Sequence, residues 1–162
     1  MLSHATETVF KISETYGGSD DDQEINIDRD LFKVLYDAQY LQESSMSIII
    51  SLADCGLKYS TIDALLTTFP NLYFSIDGRL THSKQKLVKE YAFDIPLTRL
   101  VFASMAPHYP VASSCMGGAS FDSSNSTHVL FVAEVLATIK NITIDEVLET
   151  CLENSNRILQ LE

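Results

Sequence analysis

The sequence predicts an α/β fold in which about three parallel strands alternate with helices and two further helices close the chain. Three observations carry this. Short apolar runs, too short for helices, lie at 47–52, 72–76 and 100–102. Segments of helical periodicity separate them, and that alternation favours parallel strands joined by crossovers. After residue 125 only helical periodicity remains.

The elements follow in order. Residues 1–30 read as an acidic arm: Tyr16-Gly17-Gly18-Ser19 precedes Asp20-Asp21-Asp22, a solvated stretch without the ligand spacing of a calcium loop. Residues 31–162 form the domain. Asp28 or Asp30 can cap a helix over about 31–43, with Leu31, Leu35, Ala38 and Leu41 on one face. Ile48-Ile49-Ile50 centres the first strand, and Ala53-Asp54-Cys55-Gly56 is its exit. Ser60 or Thr61 opens the next helix, Ile62, Leu65, Leu66 and Phe69 mark its buried stripe, and Pro70 ends it. Leu72-Tyr73-Phe74-Ser75-Ile76 is the second strand, closed by Asp77-Gly78. A helix over about 83–91 turns Leu87, Val88 and Tyr91 inward. Pro96 cannot donate to a ladder, so the third strand, Leu100-Val101-Phe102, starts after it. Its continuous apolar run suits a strand covered on both faces. Residues 111–125 are Ser- and Gly-rich and read as a long loop. The closing helices cover about 126–140, with Val129, Val132, Leu136 and Ile139 inward, and from Thr143 past Asn154, with Val147, Leu148, Cys151 and Leu152 inward. Thr143 and Glu146 have capping-box spacing.

Composition bounds the function. The chain has 162 residues, 46% of them hydrophobic, enough for one ordinary core. Eleven bases against 22 acids give a net charge of −11, which repels nucleic-acid backbones at long range and makes DNA an unfavoured partner. Residues 1–30 contribute eight acids and two bases, a net of −6. Cys55, Cys115 and Cys151 form no CxxC pair and read as thiols of a reducing compartment. No secretory signal and no membrane span is apparent, so the expectation is an intracellular protein, cytoplasmic or nuclear. On that expectation the acceptor patterns at Asn125 and Asn141 carry nothing.

Ile95-Pro96-Leu97-Thr98-Arg99, the apolar strand after it, and Ala106-Pro107 at its exit resemble the closing strand of the TatD-type metal-dependent deoxyribonucleases, a branch of the metallohydrolase TIM barrels. Val132-Ala133-Glu134, the tail Glu153-Asn154-Ser155-Asn156-Arg157-Ile158-Leu159, and Phe69-Pro70-Asn71 extend the resemblance over about residues 45–161. The resemblance implies a partial TIM-barrel-like unit, the C-terminal half, since a complete barrel needs roughly 200 residues or more. It also implies where chemistry would sit, and there the sequence departs from the family. The family's Glu-Thr-Asp has become Ala103-Ser104-Met105, so Met105 stands where the closing Asp would be. Leu52 stands where a His would be, and no His-x-His occurs anywhere. A thioether is a poor ligand for Mg²⁺, Mn²⁺ or Zn²⁺.

No catalytic residue is therefore assigned, and no cofactor is expected. Asp54, Asp77 and His108 are the polar residues that could converge at the mouth as metal ligands; each also reads as an ordinary loop residue. Ser104 lacks an evident His/Asp pair for nucleophilic work. His82 and His128 read as a cap and a helix-face residue. Arg79, Lys84, Lys86 and Lys89 are candidates for touching phosphate, although without interleaved aromatics a solvated helix face is the simpler reading. The expected function is that of a truncated, catalytically inactive TatD-like module that binds a protein partner or its own copies to complete the sheet. The alternative is a metal-dependent DNA exonuclease with substituted ligands, which alone would call for a divalent metal.

Overall fold

A computed structural model describes Leu35 and residues 47–118 and 122–161. The predicted arm, and the predicted helix over 31–43 apart from Leu35, lie outside the described residues; Leu35 itself is helical and buried.

Three strands, β1 (Ile48–Ser51), β2 (Leu72–Ile76) and β3 (Leu100–Phe102), form one parallel sheet in the order β1-β2-β3. Ile48 aligns with Leu72, and Phe74 with Leu100. The central strand shows why a continuous apolar run is needed here. Leu72, Tyr73, Phe74 and Ile76 are all buried, so both faces of β2 are covered. Fully burying a side chain such as Phe74 contributes about 1.5–3 kcal/mol.

Helix α1 (Tyr59–Thr68) joins β1 to β2. It stops because Phe69, at its C-cap, turns extended ahead of Pro70, in agreement with the restriction on a residue before proline. Between β2 and β3 come a 3₁₀ turn (Gly78–Thr81), α2 (Lys86–Asp94) and a second 3₁₀ turn (Leu97–Arg99). Helix α2 starts later than predicted. Its buried stripe is Val88, Tyr91 and Ala92 with Ile95 beyond, which leaves Leu87 about 100° off the stripe and 53% exposed, not inward.

The segment 111–125 carries a short 3₁₀ turn (Ser113–Met116), and another (Ser126–His128) leads into α3 (Val129–Lys140). Helix α3 buries Val132, Ala133, Leu136 and Ala137; Val129 and Ile139 are only half-buried. Asn141 then takes a left-handed conformation, φ 55°, and the chain bends by 111° between the two closing helices. The final helix, α4 (Ile144–Leu159), is capped by Thr143, whose hydroxyl accepts from the Glu146 N–H. Its inward residues are Val147, Cys151 and Asn154. Leu152, predicted inward, is 62% exposed, and Asn154 holds the position one would expect an apolar residue to fill. The Asn154 amide donates to the carbonyls of Leu97 and Leu100 at 3.0 and 2.8 Å. The parallel register turns the Leu100 carbonyl away from β2, so Asn154 satisfies a backbone acceptor on the outer side of β3. Helix α4 thereby fixes the start of the third strand.

The core gathers the Leu72, Phe74 and Ile76 face of β2, Leu65 of α1 with Phe69 at its C-cap, and Leu136 and Val147 of the closing helices. Among the described residues no single helix is long and apolar enough to cross a membrane.

Candidate functional site

The C-terminal ends of β1 and β2 bring together three charged side chains. β1 runs into Asp54, which is held by the Ser51 hydroxyl at 2.8 Å. β2 runs into Asp77, whose carboxylate accepts from the Arg79 N–H at 2.9 Å and so caps the 3₁₀ turn that follows. That cap folds the chain back, and the Arg79 guanidinium passes between the two carboxylates. Its Nε donates to Asp77 at 3.0 and 3.1 Å. Its terminal nitrogens donate to Asp77, to both oxygens of Asp54, and to the Ser51 Oγ at 3.3 Å. The Asp77 side chain is 2% exposed and that of Arg79 11%. Burial works to lower the Arg79 pKa, but the hydrogen bonds it donates to Asp54 and Asp77 outweigh it and hold the group above its ordinary value. Arg79 is therefore cationic at every accessible pH.

The loop after β3 closes over this cluster. Met105 and Tyr109 both adopt left-handed backbone, φ 50° and 54°, and the peptide between Ala106 and Pro107 is cis. Two polar contacts tie the loop to the Gly78–Thr81 segment and His82, and one contact within each braces them. The His108 N–H reaches the Met105 carbonyl at 2.8 Å, and His82 Nε2 lies 2.9 Å from the Pro110 carbonyl. The Ala112 N–H donates to Thr81 Oγ1 at 2.7 Å, and that hydroxyl donates to the Gly78 carbonyl at 2.6 Å. Gly78 is required beneath: a Cβ there would lie 2.2 Å from the Tyr109 carbonyl oxygen. The clamp places the Tyr109 ring over the guanidinium, 3.9 Å from the Arg79 Cζ to the ring centroid.

The residues singled out from the sequence fall into two groups. Asp54 and Asp77 meet, but through Arg79. His108 is exposed, its ring tilted against that of Tyr109. Met105 sits half-buried at the end of β3. Ser104 accepts the Ser124 hydroxyl on its carbonyl at 3.1 Å. His128 is buried, in a reciprocal cap with Asn125. Arg79 does not share a solvated helix face with Lys84, Lys86 and Lys89. It lies in the 3₁₀ turn because Asp77 captures it, while Lys84 and Lys86 are exposed and Lys89 half-buried.

A divalent metal is what the fold resemblance implies at these strand ends, and the donor set does not suit one. Asp54 and Asp77 already direct their oxygens at a tethered cation. Among the described residues no three His, Cys, Asp or Glu side chains group to hold a metal ion. Arg79 and Tyr109 were not legible as partners in the sequence, since Arg79 pairs with Asp54 across 25 positions and with Tyr109 across 30. The Asp77-Gly78-Arg79 spacing, a capping Asp two residues before an Arg at a strand exit, was the one local signal.

Comparison with solved structures gives the fold. A TatD family hydrolase from Entamoeba histolytica superposes with a TM-score of 0.61 at 13% identity, over 80% of this chain and 46% of its own. YjjV, a TatD homologue from Escherichia coli, gives a TM-score of 0.54 at 14% identity, over 70% of this chain and 40% of its own. The chain carries part of a TatD-like fold. An uncharacterized amidohydrolase from Saccharomyces cerevisiae matches in the same way, with a TM-score of 0.54 at 13% identity, over 74% of this chain and 44% of its own. The chain thus spans less than half the length of these TatD-like structures. No family model matches the sequence, and neither does any curated protein.

Proposed function

We propose that this TatD-like unit is non-hydrolytic and works by association, with a protein partner or a second copy adding to its sheet. The observation that carries the first half is Arg79. Hydrolysis by a divalent ion needs carboxylates free to hold it. Here one guanidinium, which stays cationic, already engages both carboxylates at the strand ends. The second half is supported by the sheet. β1 has one strand neighbour among the described residues, and such an edge invites pairing, whereas Asn154 of α4 already takes the outer side of β3.

Two measurements test the reading. Purified protein is incubated with labelled single-stranded DNA and Mg²⁺ or Mn²⁺, with and without chelator. No cleavage is expected; cleavage abolished by both chelator and Asp54→Ala replaces this reading with a metal-dependent DNA exonuclease. Sedimentation across a range of concentrations should show self-association, or a partner should shift the sedimenting species. A concentration-independent monomer that recruits nothing refutes the association half.

A further inference from the structure

A cavity of about 330 Å³ opens between the exposed flank of α1 and the turn joining α2 to β3, and it shares no residue with the Arg79 cluster. That volume lies at the lower end of the roughly 300–1,000 Å³ found for small-molecule sites. Its apolar wall is Ile62, Leu66, Ile95 and Pro96. Its charged groups are Asp63, Asp94 and Arg99.

These charges are not spent on one another. The ion pairs among the described residues are those of Arg79. Arg99 makes one long hydrogen bond, 3.4 Å to the Leu72 carbonyl, and lies 5.9 Å from the Tyr73 ring centroid, so most of its donors remain available. Asp94 stands near the Lys140 ammonium, which is itself held by the carbonyls of Phe93 and Ile95 at 2.8 and 2.6 Å. Asp63 lies one helical turn after Tyr59, on the same side of α1. The Tyr59 ring stacks on Tyr91 at 6.4 Å and is still 50% exposed.

We propose that this cavity binds a small zwitterion, a free α-amino acid or a short peptide, with its ammonium between Asp63 and the Tyr59 ring and its carboxylate on Arg99. The guanidinium fork matches a carboxylate in a bidentate geometry. An aromatic face beside a carboxylate favours an ammonium. An aliphatic side chain covers Ile62 and Leu66. A ligand bearing only one of the two charges leaves the opposite wall uncompensated. This inference is independent of the association proposed above.

The test is a ¹⁵N-¹H titration of the full chain with L-leucine and leucylglycine, against N-acetylleucine and leucinamide as single-charge controls. Saturable shifts confined to residues 59–67 and 94–99 are expected, with affinity at least about tenfold weaker for either control, the loss of one favourable charge contact. Whichever of leucine and leucylglycine binds more tightly identifies the source. The controls act on the unaltered protein, so the result does not depend on a variant folding. Asp63→Asn and Arg99→Gln should each weaken zwitterion binding by a similar factor. No saturable shift up to about 10 mM zwitterion, or controls that bind equally well, overturns the proposal.

Discussion

Replacing Arg79 by Met keeps an apolar stem under Tyr109 and removes the cation. Asp77, with its side chain 2% exposed, is then left as a buried carboxylate beside Asp54. Breaking a buried ion pair by removing one partner costs roughly 3–5 kcal/mol, because the other charge is stranded. The Asp54 side chain is 19% exposed and can recruit water, so the lower figure, about 3 kcal/mol, applies. At roughly 2–4 °C per kcal/mol for a domain of this size, the melting temperature falls by about 6–12 °C near neutral pH. Urea melts of wild type and variant near neutral pH measure this directly. Equal stabilities there refute the claim that Arg79 supplies the cation these strand ends require.

Other consequences are read in the same way. Asn154→Leu strands the Leu97 and Leu100 carbonyls and should cost about 1–3 kcal/mol in urea, with shifts concentrated in β3 and the turn before it. Gly78→Ala forces the Tyr109 backbone away and should cost about 1–3 kcal/mol, with amide shifts over residues 105–112; a neutral effect refutes the clamp. Burial pushes the Cys151 thiol up to about 12 and raises that of Cys55, so at pH 8 a thiol reagent should label half-buried Cys115 first and reach the other two only in denaturant. Fast labelling of Cys151 in the native protein contradicts its packing between α4 and the core.

The run of apolar residues at 72–76 was enough to read β2, because a strand covered on both faces leaves no polar alternation to confuse it. Pro70 and Pro96 set boundaries for a covalent reason that tertiary context cannot override. Leu87 and Leu152 misled for the opposite reason. Each is apolar and next to the buried stripe, and one helical position is enough to turn a side chain to solvent. Asn154 was hidden because nothing in a sequence says that a backbone carbonyl on the outer side of a strand needs a donor from a helix 54 positions away.

The sequence by itself determined the succession of strands and helices, the partial TatD-like pattern, and that Met105 and Leu52 cannot bind a hard cation. These are matters of local periodicity and side-chain chemistry. What the carboxylates at the strand ends do was decided only by the folded arrangement. Asp54, Asp77 and Arg79 belong to two different strand exits, and Tyr109 to a third. A parallel sheet places all of its strand ends on one rim, so chain segments far apart in sequence meet there and set each other's charge.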